Sequence, residues 1–164
     1  MNYWHEVSVK FIKEYTDGTL KRVTEKHLVS ALSFTDAEAR IYKEVGEYIR
    51  GEFQVNAIKT INLSDVFHYE DAETWYQTKV ASVVEDADSG KEKKYSSSYL
   101  VSAHNIKEAY ERIEESLKGL MFTYEISEIK QSKIVEVFPY EPTEEEKQKS
   151  AGKNVAYTMD QDED

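Results

Sequence analysis

The chain contains no cysteine, two prolines and six glycines in 164 residues. The missing cysteines exclude disulfides, a thiolate nucleophile and Cys-based zinc or iron–sulfur sites, and they fit a reducing cytoplasm. No apolar run nears the roughly 18–20 residues that cross a bilayer, so no membrane association is expected. The opening MNYWHEVSVKF has neither the basic start nor the apolar stretch of a secretory signal. Phosphate-cradling glycine loops (GxGxxG, GxxxxGK[ST]) and the GxSxG nucleophile elbow do not occur. The four histidines, His5, His27, His68 and His104, follow no compact metal-ligand spacing. Asp86 and Asp88 start like a calcium loop, but Gly90 replaces a ligand and Ser97 stands where the bidentate Glu belongs. The expectation is a protein without catalytic residues, metal or cofactor.

Charge is plentiful. Charged residues make up 32% of the chain, the net charge is −11 and the mean hydropathy is −0.69, as in a soluble protein. The stretch 139–164 holds eight acidic and three basic residues, and 1–138 holds 24 acidic and 18 basic. Such a body repels polyanions at long range, which disfavours broad duplex DNA binding while leaving local basic patches open.

A phrase is written twice. LVSALSFTDAEARI at 28–41 returns as LVSAHNIKEAYERI at 100–113, 72 positions on. Trp4 matches Trp75, Gly18 matches Gly90, and Lys21-Arg22 match Lys93-Lys94. Ala37, Arg40 and Ile41 match Ala109, Arg112 and Ile113. After one slipped residue, Ile58-Lys59 match Ile129-Lys130, and Val66-Phe67 match Val137-Phe138. An ordered series with a single indel is the signature of an internal duplication. No histidine has a histidine counterpart; their equivalents are Tyr76, Tyr99, Pro139 and Leu32.

Each copy spells β-β-α-β. Val7, Val9 and Phe11 alternate with polar residues as in a half-buried strand. Asp17-Gly18 is a hairpin turn, and a second strand is expected over about 21–32. Thr35 with Glu38 reads as a capping box opening a helix over about 36–50, with Ala37, Ile41, Val45 and Tyr48 on its apolar face. Phe53, Val55 and Ile58 suggest a third strand, and Val66-Phe67 a short closing one. The second copy places strands at about 75–85 and 93–103, a cap at Asn105 with Glu108, and a helix over about 107–120. The fold class is α+β: units 1–70 and 71–140 form one pseudo-twofold domain, an antiparallel sheet with two packed helices. The tail 141–164 is acidic and lacks apolar periodicity, so disorder is expected there.

Functional candidates are rings and cations. Trp4, Trp75, Tyr95 and Tyr99 lie on strands near Lys21, Arg22, Lys93 and Lys94. Rings beside cations can stack single-stranded bases while the cations track the backbone. Strand propensity alone also gathers aromatics. Arg40 and Arg112, retained in both copies, are candidates to line a groove between the halves.

The phrases WHEVSVKF, KRVTEKHLVSALSFTDAEARI, GEFQV, SGKEKK and the closing VFPY together resemble a domain-of-unknown-function family of Bacteroidetes and their phages, over about 3–140. The resemblance implies a cytoplasmic bacterial or phage protein and transfers no activity. The expected function is a non-catalytic binding or adaptor protein, most concretely one associating with single-stranded nucleic acid in DNA metabolism. Its other expected partner is a protein recruited by the acidic tail. Two further readings are a protein sequestering a small nucleotide-type ligand, and an enzyme without a recognisable motif.

Overall fold

Strand alternation organises the first half. In β1 (Tyr3–Glu14), Val7 and Val9 are fully buried while Ser8 and Lys10 are partly exposed. The computed structural model describes residues 3–120, 123–142, 144–149 and 151. Within them the chain continues through β2 (Leu20–Ala31), α1 (Phe34–Gly46), β3 (Phe53–Ile61), β4 (Asp65–Phe67), β5 (Thr74–Glu85), β6 (Glu92–Ala103), α2 (Ile106–Ser116), β7 (Thr123–Gln131) and β8 (Ile134–Phe138). It is a mixed α+β fold, mostly strands. The tail read as disordered lies mainly outside the described residues; within them, residues 144–149 are helical.

Two long hairpins set the frame. β1 pairs antiparallel with β2 from Tyr3↔Ala31 to Glu14↔Leu20, and β5 with β6 from Thr74↔Ala103 to Glu85↔Glu92. Gly18 takes φ +82° at the first turn, where Asp17 accepts the Thr19 N–H at 2.9 Å. A side chain at that φ would be strained, which is why glycine follows aspartate there. In each hairpin the third strand pairs on the other side of the first, and each pairing carries one register shift, at Ser8/Val9 and at Lys79/Val80.

The helices start from matched caps. Ser33 and Asn105 take the same extended conformation, and their side chains accept the N–H groups of Asp36 and Glu108. Asp36 and Glu108 reach back to accept from Leu32 and His104, each at 3.0 Å. These are reciprocal capping boxes. In α1 the cap is therefore Ser33 with Asp36, two residues earlier than the Thr35 and Glu38 pair expected from the sequence. Both motifs satisfy the spacing rule, and the helix starts at the earlier one, with only Leu32 between the strand end at Ala31 and the Ser33 cap.

The expected single antiparallel sheet is corrected to two mixed four-stranded sheets, ordered β3-β1-β2-β8 and β4-β6-β5-β7. β4 runs parallel to β6 and β8 runs parallel to β2. Each short closing strand thus completes the other hairpin's sheet. Runs of three and five residues hold too little alternation to announce which edge they join.

Three apolar clusters follow. Val7, Val9, Val29 and Ala31 pack under Ala37, Ile41 and Val45 of α1. Tyr76, Val80, Val101 and Ala103 pack under Ala109 and Ile113 of α2. The third cluster joins the opposite faces of the two sheets: Leu28, Trp75, Leu100 and Ile134 are buried there, with Trp4, Leu63, Val66 and Val137 against them. Alternation forces this division, since neighbouring strand residues point to opposite faces. The helices consequently cover the outer faces, one on each sheet.

Two outcomes are expected. Thr78 is fully buried and its hydroxyl has no partner among the described residues, whereas the matching position in the first half is the fully buried Val7. Replacing Thr78 by Val removes an unsatisfied polar group without changing shape, and should raise stability by about 1 kcal/mol in urea denaturation; a loss of stability would show that the hydroxyl has a partner. A protease site inserted after Glu70, cut once the chain has folded, should leave the pieces co-eluting in size-exclusion chromatography, because β4 and β8 stay paired across the cut. Separation of the pieces in native buffer would contradict the exchange of closing strands.

Candidate functional site

The corner where each second strand enters its helix fixes the two arginines. Arg40 Nη1 donates to the Ser30 carbonyl and Arg112 Nη1 to the Ser102 carbonyl, both at 2.8 Å. Each guanidinium thus ties a helix to the end of the strand before it. Because α1 and α2 lie on opposite outer faces, the two arginines share no groove, and neither lines a described cavity. Their expected place in a cleft between the halves is corrected to this local bracing.

The tryptophans move from surface to core. Trp75 is 3% exposed and Trp4 is partly buried, both within the cluster between the sheets. Trp75 therefore presents no face on which a base could stack, and Trp4 has part of its ring taken up by the same cluster. Alternation tells which residues share a face but not that this face meets a second sheet. Tyr99 is partly buried, stacked on Phe67 with centroids 5.7 Å apart and planes 12° apart. Of the four expected rings, Tyr95 alone is open, at 52% exposure. Lys21, Arg22, Lys93 and Lys94 are all exposed, near the free ends of the hairpins.

The first hairpin end gathers a group that the sequence reading passed over. The ammonium groups of Lys13 and Lys21 each sit 5.6 Å from the centre of the exposed Tyr15 ring. Lys13 and Lys21 face each other across the hairpin, and Arg22 faces Ile12. Lys13 also lies 3.8 Å from Glu25. The sequence did not announce this group: a two-residue turn at Asp17-Gly18 would pair Lys13 with Arg22, whereas the observed register pairs Lys13 with Lys21.

A second polar group gathers at the α2 corner. Arg112 lies 4.3 Å from the Tyr69 ring centre and donates through Nη2 to both carboxylate oxygens of Asp71, at 2.7 and 3.0 Å. His104 bonds Glu108 through Nδ1 and the Asp71 carbonyl through Nε2, each at 2.8 Å. The Arg112 hydrogen bond holds the Asp71 carboxyl below its usual range, and the Glu108 hydrogen bond holds the His104 imidazole above its own. Asp71, His104 and Glu108 present ligand atoms within 4.8 Å of one another. The Arg112 guanidinium pairs with both carboxylates, Asp71 at 2.7 Å and Glu108 at 3.1 Å, so the group reads as an ion network pinning the link between β4 and β5. Asp71 lies 33 residues from His104, which hid the pairing from spacing arguments.

His27 is the third group. Its ring is fully buried, stacked on Phe138 with planes 18° apart, and 3.4–3.5 Å from the Tyr48 hydroxyl. Glu25 lies 3.7 Å from Nε2. Burial lowers the His27 pKa to about 4. Burial also raises the Tyr48 phenol, with Glu25 and Glu136 adding to the shift. Tyr48, Glu25, Phe11, Ile12, Leu20 and Ile49 line a cavity of about 760 Å³ beside this group.

The His27 shift fixes a pH dependence. The unfolded imidazole takes its proton near pH 6.5, while the folded one resists until about 4. Stability is therefore complete above pH 6.5 and falls as pH drops toward 4, by at most about 1.4 kcal/mol per pH unit from this group. Urea titrations at pH 7.5 and 5 should show a smaller loss for His27→Phe than for the unaltered chain. Equal losses would mean that the imidazole is already charged in the folded state.

No curated protein and no solved structure matches the chain. A family model matches residues 3–140, which takes in both hairpins, α1, α2 and β1 to β8. On that match the chain belongs to the family described as Domain of unknown function (DUF4494).

Proposed function

We propose that the chain is a tandem duplicate of one β-β-α-β unit folded about a pseudo-twofold axis, and that it is a non-catalytic cytoplasmic binding protein holding single-stranded nucleic acid at its hairpin ends. The duplicate reading is supported by the central cluster, eight of whose nine members form counterpart pairs: Leu28 with Leu100, Trp4 with Trp75, Leu63 with Ile134, and Val66 with Val137, while Ile61 answers to Ser132. Matched caps, matched register shifts and matched arginine braces support it further.

One observation carries the binding reading: an exposed tyrosine ring with two ammonium groups 5.6 Å from its centre at a free hairpin end. Residues 10–26 contain five basic and three acidic side chains in a chain of net charge −11, so this arm is a local basic exception. A base stacked on Tyr15 would gain about 1–3 kcal/mol, with Lys13, Lys21 and Arg22 placed to meet adjoining phosphates. The second hairpin carries the exposed Tyr95 directly after Lys93 and Lys94 on β6. The surrounding negative charge limits affinity, and the phosphate contacts of Lys13, Lys21 and Arg22 make it fall as salt rises. A small-ligand reading would draw on a groove shared by Arg40 and Arg112, whose guanidiniums instead brace their own corners. An enzyme reading would draw on His27, Tyr48 and Glu25, but that imidazole is sealed from solvent.

Anisotropy of a labelled oligonucleotide at low salt tests the proposal. Binding at about 10 μM or tighter is expected, weakening steeply as salt rises. Tyr15→Ala combined with Lys21→Ala should weaken it about tenfold, through the lost stack and phosphate contact, with no change in melting temperature. No binding at that concentration, with or without residues 139–164, would remove the nucleic-acid reading.

A further inference from the structure

β8 forms one edge of the first sheet, and among the described residues no strand pairs with its outer side. Its pairing with β2 passes from Lys26↔Ile134 to His27↔Glu136, which leaves Val135 without a partner and 41% exposed. Two cavities, of about 790 and 320 Å³, adjoin along this edge and share Glu73, Trp75 and Val135 in their walls. The wall facing β8 is built by the start of β5 and by the link before it, where the His68 ring tilts against Trp75 at 5.2 Å.

The chemistry of this groove selects its occupant. An open strand edge offers backbone donors and acceptors at strand spacing, which is what an extended peptide needs to add as a further strand. Val135 and the edge of Trp75 supply apolar contact. Glu70, Glu73 and Glu136 line the groove against a single Lys133, so the local field attracts positive side chains. That field repels a polynucleotide, and a second copy of this chain would bring a net charge of −11 of its own.

We propose that this groove is a peptide-docking site, in which an extended segment of a partner protein, carrying lysine or arginine among apolar residues, adds as a strand to the outer edge of β8. Its apolar side chains rest on Val135 and Trp75, and its cations meet Glu70, Glu73 and Glu136. Tyr15, Lys21 and Arg22 line neither cavity, although Thr24 of the same strand does, and substitutions on the two groups separate this reading from nucleic-acid binding.

The test uses the full chain and a fluorescein-labelled peptide of ten residues alternating lysine and valine. Saturable binding by anisotropy is expected, accompanied by a change in tryptophan fluorescence. A version of the peptide methylated at alternate backbone nitrogens, which keeps charge but cannot pair as a strand, should bind about tenfold more weakly or not at all. Glu73→Lys with Glu136→Lys, both exposed, should weaken the unmethylated peptide about tenfold with the melting temperature unchanged. Tyr15→Ala with Lys21→Ala should leave peptide affinity unaltered. Equal binding of the methylated peptide would reduce the effect to unspecific charge attraction and overturn the proposal. Absence of saturation by about 1 mM, weaker than any useful docking energy, would overturn it too, as would displacement of the peptide from the groove by an oligonucleotide.

Discussion

Reciprocal exchange of the closing strands is the constraint on which the molecule depends. β4 leaves the first hairpin to run parallel to β6, and β8 leaves the second to run parallel to β2. Each sheet therefore lacks its fourth strand unless the other half has arrived. The exchange also brings Val66 and Val137 beside Leu28, Leu100 and the two tryptophans, so the strand crossing and the central cluster stabilise one another. A unit of this size would bury too little apolar surface to be secure alone. Sharing both a cluster and an edge strand joins two marginal units into one cooperative body.

The repeated LVSA phrase sits where all of these layers meet, and each letter has a separate task. Leu28 and Leu100 point into the space between the sheets; Val29 and Val101 point the other way, under the helices. Ser30 and Ser102 present the carbonyls that the two arginines brace. Ala31 and Ala103 are fully buried where each helix turns over its sheet, and a larger side chain would push the helix away. The leucine, valine and alanine are thus fixed by what their side chains meet, while the third position serves through its backbone carbonyl. That accounts for a phrase that recurs nearly unchanged in both halves although its flanks differ.

Much of this was legible in the residues. The strands, the hairpin turns and the apolar faces of both helices followed from periods of two and of three to four, and the α2 cap from Asn105 with Glu108. Arg40 and Arg112 were visible as a retained pair, though their role required knowing which carbonyl lies beside each guanidinium. Trp4 and Trp75 were misplaced because alternation assigns a face without saying what covers it. The crossing of β4 and β8 was hidden because short strands do not encode their partner. The Asp71, His104 and Arg112 network was hidden because its members come together only once the link folds back on the α2 corner.

The exchange has a consequence for synthesis on the ribosome. The first hairpin and α1 emerge early, but their sheet gains its last strand only when residues 134–138 have left the exit tunnel. Until then the outer edge of β2 is open, with residues 26–29 unpaired on that side. Partly made chains with open strand edges are prone to join one another. On a polysome, where several copies of the same hairpin are exposed together, the interval between translating residue 31 and residue 138 is when the protein is most vulnerable. Translation speed across that stretch therefore bears directly on the yield of folded protein.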